Sequence, residues 1–185
     1  MRKKKGPWVV TATRIVYKNR WITVREDDVI QPDGKPGVFG TMMQKGGSSV
    51  IAMDEKQNVY LTKEYHYAVG RITLEAVGGG TESRETWLQT AKRELKEETG
   101  LTARRWTYLG VVDPLTTSLS SPNHMYLARD LTFGEAKLDA TETLTIVKIP
   151  FTKAFRMMKK GTITHAATVV ALLRIANIIG TVAKI

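Results

Sequence analysis

Three consecutive glycines, Gly78 to Gly80, stand where the hydrophobic pattern of this chain changes period. Before them, β-branched and aromatic residues come in short runs broken by turn residues, the pattern of strands. Residues 9–17 and 21–30 flank a turn at 18–20. The stretch QPDGKPG (31–37) is a Pro-, Asp- and Gly-rich turn ahead of a return strand at 38–44. Residues 49–53 and 59–64 flank the polar DEKQN and predict a hairpin, with a further short strand at 71–77. After the glycines, residues 84–99 contain no Gly or Pro, and Leu88, Ala91 and Leu95 recur at helical spacing. Gly100 closes this helix, since glycine adopts the left-handed conformation of a helix end without strain. Strands resume at 104–112, 123–128 and 144–149, with the polar loop DPLTTSLSSP (113–122) after the first. A short helix is predicted over 152–159, and a C-terminal helix runs from an N-cap at Thr164 past Arg174. Such alternation predicts an α/β or α+β fold, a mixed sheet with interspersed helices.

Composition narrows the function classes. The chain has 185 residues, 42% hydrophobic, enough for one domain with a small appendage. With no cysteine, disulfides, thiol nucleophiles and zinc–thiolate sites are excluded, and a reducing, cytoplasmic setting is expected. The basic start MRKKK is followed by an apolar run that Thr11, Thr13 and Arg14 break at once, which argues against an export signal. Residues 168–185, the most apolar stretch, contain Arg174, Asn177 and Gly180 and are too short and polar to span a bilayer, so no membrane role is expected. The formal net charge is +10, from 28 basic and 18 acidic residues. That excess is compatible with an anionic partner such as a nucleotide or nucleic acid, although for the basic tail at 2–5 solubility is the preferred reading.

Against this positive background, Glu94, Glu97 and Glu98 crowd into five positions of one predicted helix. Glu94 and Glu98, four apart, stack on one face, with Glu97 beside them at the border of the apolar stripe. Like charges so placed repel, and more strongly where burial lowers the dielectric. A hard divalent cation relieves that repulsion, because magnesium takes oxygen ligands and is commonly shared between a few carboxylates and substrate phosphates. A solvated face of alternating Lys and Glu is the plainer reading of a run such as KRELKEE. The preceding glycines favour the metal, because they let backbone approach a ligand closely.

The stretch resembles the Nudix box of Nudix hydrolases, G-x5-E-x7-R-E-U-x-E-E-x-G-U with U aliphatic. Here it reads Gly79, Glu85, Arg93, Glu94, Leu95, Glu97, Glu98, Gly100 and Leu101, a match at all nine constrained positions. The resemblance implies an α/β/α sandwich around a mixed sheet. It also implies hydrolysis of a nucleoside diphosphate linked to another moiety, with Mg2+ or Mn2+ bridging the diphosphate. It assigns Glu94 and Glu98 as main metal ligands and Glu97 as auxiliary ligand or base. Gly79, Glu85, Arg93 and Gly100 become structural members, with Glu85 and Arg93 paired to hold the loop on the helix.

Residues outside the box are similar to the ADP-ribose and nucleotide-sugar pyrophosphatases. LEAVGG (74–79) is similar to their L-E-L-P-A-G segment, which makes the carbonyl of Gly78 a metal ligand and places Glu75 beside the site. Residues 1–46 resemble an N-terminal β-subdomain that dimerises, leaving 47–185 as the hydrolase domain and implying a homodimer. Trp8 becomes a candidate for stacking on adenine, or else a core or interface tryptophan. Glu142, in LDATETLTIVKIP (138–150), falls at the position of a catalytic loop glutamate. GTITHAAT (161–168) is similar to a G-x-I-x-D-A-x-T segment, with His165 in place of the acid and read as structural. The family's Gln-Tyr-Arg is Glu64-Tyr65-His66 here, so His66, or Arg71 in its stead, is the candidate phosphate anchor. The alternatives are a hydrolase of nucleoside triphosphates, dinucleoside polyphosphates or RNA caps on the same fold, and a nucleotide- or RNA-binding module without catalysis. Nucleic acid is possible as a partner but not favoured.

Overall fold

The computed structural model describes residues 3–137 and 143–180. In chain order the elements are β1 (Lys3–Lys5), β2 (Trp8–Lys18), β3 (Ile22–Ile30), β4 (Pro36–Gln44), β5 (Gly47–Met53), β6 (Asn58–His66), β7 (Arg71–Glu75) and β8 (Val77–Gly80). Then come α1 (Trp87–Thr99), β9 (Leu101–Val112), β10 (Leu119–Ser120), β11 (Asn123–Phe133), β12 (Thr145–Pro150), α2 (Phe151–Lys159) and α3 (Ala166–Ile178). The chain forms two compact units, Met1–Gly46 with Asp113–Pro122, and Gly47–Val112 with Asn123–Ile185.

The first unit is a five-stranded sheet in the order β1-β2-β3-β4-β10. Its pairings are antiparallel except β10 on β4, where Leu119 and Ser120 lie opposite Met42 and Met43. The 113–122 segment, read from sequence only as a polar loop, thus supplies a strand, too short to carry a pattern of its own. Asp27 is buried on β3, where it accepts a hydrogen bond from Thr13 Oγ1 at 2.7 Å and lies 3.3 Å from Arg25 Nε. A buried carboxylate needs such partners, because desolvation otherwise penalises its charge.

The second unit is built on a seven-stranded sheet, β12-β6-β5-β11-β9, with β7 added to β6 and β8 to β5. β11 runs parallel to β5 and the other pairs are antiparallel, so the sheet is mixed. Successive residues of β5 face opposite ways, as a pleated strand requires. Ile51 and Met53 join one core with Phe151, Phe155, Leu172 and Ile175 of α2 and α3. Val50 and Ala52 join the other, with Ala91 and Leu95 of α1. The sheet is therefore covered by helices on both faces, the mixed α+β architecture expected. Because both faces are covered, residues 48–53 of the central strand are all buried, and 50–53 are apolar in succession rather than alternating.

Element boundaries differ from the sequence reading where side chains compete for backbone groups. α1 starts at Trp87, not at 84: Thr86 caps it, with the Gln89 side chain reaching back to the Thr86 backbone N–H at 2.8 Å, and Arg84 has φ 74°. α3 starts at Ala166 with His165 as N-cap, so Thr164 is not the cap. The Thr164 hydroxyl instead accepts from Arg71 Nη2 at 2.8 Å. The strand expected at 71–77 divides into β7 and β8, which pair with different neighbours. No helix of the described residues is long and apolar enough to cross a membrane. Replacing the cap by Thr86→Ala is expected to lower stability by about 1 kcal/mol, read as a lower urea midpoint with unchanged slope.

Candidate active site

The glycine run is strand rather than loop. Gly78, Gly79 and Gly80 of β8 lie opposite Ser49, Ser48 and Gly47 of β5. A Cβ on Gly79 would stand 2.1 Å from Glu94 Oε1, so only a residue without a side chain lets this strand and the helix carboxylate meet. At the other end of α1, Gly100 has φ 69° and its N–H donates to the Lys96 carbonyl at 2.9 Å, the left-handed helix stop.

Arg93 organises the space between them. Its Nε donates to Glu85 Oε1 at 2.8 Å and its Nη2 to Glu85 Oε2 at 3.2 Å. The same Nη2 donates to the Gly80 carbonyl at 3.1 Å. Nη1 donates to Glu94 Oε1 at 2.8 Å and to Glu97 Oε2 at 3.0 Å. Those contacts use the whole guanidinium donor set. Glu85 also accepts from the Glu82 N–H at 3.0 Å, and Thr90 Oγ1 lies 3.0 Å away. The Arg93 hydrogen bonds hold the Glu85 carboxyl down to about 2, against an ordinary 4.5. The Arg93 guanidinium is in turn held further above its ordinary range, first by Glu85.

The acids divide by exposure: Glu94 and Glu98 are buried, whereas the Glu97 side chain is 47% exposed. One guanidinium cannot neutralise Glu85, Glu94, Glu97 and Glu98 together. Among the described residues, no three His, Asp or Glu side chains are drawn into a ready-made metal cluster. Arg93 Nη1 instead stands within 3.0 Å of oxygens from both Glu94 and Glu97. The donor set fits a divalent cation nonetheless: hard carboxylate oxygens on one helix face, already converging on a positive group, beside backbone that a Cβ would close off.

The other residues named from sequence fall in several places. His66, Arg71 and Glu75 share one face of the β6–β7 pair, where His66 lies opposite Arg71 and Thr62 opposite Glu75. His66 Nε2 is 3.3 Å from Glu75 Oε1. Trp8 belongs to the first unit, where it packs edge-on against Phe39 with centroids 5.4 Å apart. It lines a cavity of about 460 Å3 together with Arg25, Asp27, Phe39 and Thr41. Glu142 lies outside the described residues.

Two features escaped the sequence reading. His165, set aside as structural, stands 3.5 Å from Glu75 through Nδ1, which is also 2.9 Å from Thr168 Oγ1. Burial lowers its pKa from the ordinary value, the Glu75 charge opposes that, and His66 adds to it. The cavity of the first unit was missed too, although Arg25, Asp27 and Val29 at two-residue spacing were a legible signal of one strand face.

Comparison with known proteins decides the family. Residues 43–167 match the NUDIX domain model, and residues 8–42 match that of the nucleoside diphosphate sugar hydrolase N-terminal domain. The chain belongs to the Nudix family. It is thus a hydrolase acting on phosphorus-containing anhydrides, in a family whose members generally depend on divalent metal. It is similar to a CMP-5'-(N-acetyl-N-hydroxy-3-aminopropyl)phosphonate hydrolase of Streptomyces rubellomurinus, 26% identical over 94% of this chain and 84% of the relative. It is likewise similar to an ADP-ribose pyrophosphatase of Bacillus subtilis, 26% identical over 85% of this chain and 86% of the relative. Among solved structures, an ADP compounds hydrolase superposes with a TM-score of 0.83 at 22% identity, covering 99% of this chain and all of that one, which establishes the shared fold.

Two outcomes follow for this Nudix site. Gly79→Ala is expected to displace the Glu94 carboxylate and cut activity at least tenfold while circular dichroism shows a folded protein, roughly the effect of losing ligand orientation. Glu85 is charged more readily in the folded chain than its ordinary 4.5 allows, so its stabilisation is full above 4.5 and is lost as pH falls towards 2. The melting-temperature gap between wild type and Glu85→Gln is therefore expected to be widest at neutral pH and to close across that window.

Proposed function

We propose that the protein hydrolyses the diphosphate linkage of ADP-ribose or a related nucleoside diphosphate sugar, with Mg2+ or Mn2+. The products are a nucleoside monophosphate and a phosphorylated moiety. The observation that carries the reaction is the convergence of Glu94 and Glu97 oxygens on one cationic nitrogen, beside a glycine strand that no side chain obstructs. The substrate class is supported by the match of residues 8–42 to the sugar-hydrolase N-terminal model and by the name of the Bacillus subtilis relative.

In this reading Glu94, Glu97, Glu98 and the carbonyl of Gly78 hold the metal. When bound, a divalent cation neutralises the diphosphate charge and makes a water more acidic. Glu97, the most exposed of the three, is the acid best placed to take a proton from attacking water. Glu85 and Arg93 keep β8 against α1, so that the carboxylates and the glycine carbonyls hold one geometry. His66, or Arg71 in its stead, anchors the substrate phosphate, with Glu75 beside them. In the first unit, the Trp8 ring and the polar Arg25–Asp27 pair suit a nucleobase, which offers a flat face for stacking and an edge for hydrogen bonds. The N-terminal unit also supplies the surface of a homodimer, and a cytoplasmic setting agrees with the absence of cysteine.

The test is incubation with magnesium and a panel of nucleotides, with products separated by chromatography. ADP-ribose or another nucleotide sugar is expected to be cleaved, and chelation to stop the reaction. Cleavage of triphosphates with all nucleotide sugars inert would overturn this reading in favour of a triphosphatase. Binding without cleavage would leave a binding module. Glu98→Gln is expected to lower turnover roughly a hundredfold or more without loss of fold, and normal turnover in that variant would remove the metal assignment.

A further inference from the structure

The face of β7 ahead of the glycine strand carries a cluster that the hydrolytic site does not need for its metal. Glu75 accepts a hydrogen bond from Thr73 Oγ1 at 2.6 Å on Oε1. His66 Nε2 approaches the same oxygen at 3.3 Å, and His165 Nδ1 approaches Oε2 at 3.5 Å. One carboxylate is thus flanked by two imidazoles from different elements, β6 and the cap of α3. The cluster is tied to the chain that leads into the box, because Thr168 Oγ1, 2.9 Å from His165 Nδ1, accepts the Ala76 N–H at 2.8 Å. The side chains are neither sealed nor fully solvated: His66 is 37% exposed, His165 32% and Glu75 18%.

The charged groups around this cluster are few. From β7, Arg71 donates to Thr164 next to His165. From β6, Glu64 lies opposite Thr73 on the same face. From α3 the only titratable group at the cluster, among the described residues, is His165 itself. The charge of His165 is therefore governed by burial, Glu75 and His66. With both imidazoles neutral the cluster carries the single negative charge of Glu75, unfavourable next to an anionic diphosphate. One proton on either imidazole cancels it.

We propose that His66, Glu75 and His165 form one proton-binding unit that takes up a proton from solvent as the anionic substrate binds and returns it when product leaves. This rests on the nucleotide-sugar reading above, which puts His66 and Glu75 against the substrate. The approaching negative charge favours an imidazolium and, at His165, offsets the burial that disfavours it in the free protein. By linkage, whatever promotes proton binding when substrate is present must make substrate bind more tightly as pH falls. His165 acts as a positioning residue here: it touches Glu75 and, through Thr168, holds the Ala76 backbone, so it sets both the charge and the aim of the strand entering the box.

Calorimetry on the full chain, equilibrated with magnesium and titrated with the α,β-methylene analogue of ADP-ribose, tests this without turnover. Measured near pH ~6.5 in buffers of different ionisation enthalpy, the observed heat reports protons exchanged on binding. Uptake of a substantial fraction of one proton is expected, with Kd weakening by up to about tenfold per unit rise in pH. His165→Asn, which keeps a polar atom near the Nδ1 position, is expected to reduce the uptake, and His66→Gln with His165→Asn to abolish it and flatten the pH dependence of Kd. Binding by wild type without proton uptake overturns the inference alone, as does uptake unchanged in the double variant. Absence of binding by wild type overturns the nucleotide-sugar reading and this inference together. A purely structural His165 would change melting temperature and leave proton uptake untouched, and the wild-type measurement stands even if a variant fails to fold.

Discussion

Everything at this site depends on one guanidinium. Arg93 uses its donors on Glu85, Glu94, Glu97 and the carbonyl of Gly80, so it joins the start of the box, the helix and the glycine strand in a single set of contacts. Planar, fixed and always charged, an arginine can do this where a lysine cannot. Removing it would take from buried Glu94 the guanidinium that it shares with Glu85 and Glu97, a costly loss in a low dielectric. The helix needs its cap at Thr86 and the strand needs glycine at 79 for the same reason: both set the distance at which this hub can close.

The hub also explains how a chain so basic overall keeps a concentrated negative centre. Apart from Arg93, the cations nearest in sequence to the glutamates, Lys92 and Lys96, are exposed. Lys92 lies 6.0 Å from the Trp106 ring centroid rather than joining the acids. Positive charge therefore sits largely on the outside of the helix, and negative charge on its border with the core. A metal and a polyphosphate bring the missing positive and added negative charge together, the electrostatic logic of phosphoryl chemistry. The His66–Glu75–His165 cluster extends that logic one step upstream, with imidazoles where an arginine would supply fixed charge.

Much of this was legible in the residues. The switch of period at Gly78–Gly80, the nine box positions and the helix stop at Gly100 all rest on local rules: side-chain spacing, backbone freedom of glycine, and repulsion between neighbouring carboxylates. The helix start was misplaced because Gln89 completes a capping box with Thr86, and Thr164 was misread as a cap because its hydroxyl is taken by Arg71, 93 residues away in sequence. β10 was missed because two residues carry no pattern.

The sequence by itself determined the family and the class of reaction, and it singled out the carboxylates proposed to bear it, because those follow from spacing along one helix and the glycines before it. Only the tertiary structure decided that the glycine run is a strand packed on β5, and that Glu94 fills the space a Cβ would take. It alone brought His165 to Glu75 and gathered Trp8, Arg25 and Asp27 around one cavity. The physical reason is range. Helix periodicity and charge crowding act between neighbours in the chain, whereas a contact between residues some ninety apart is set by how sheet and helices pack.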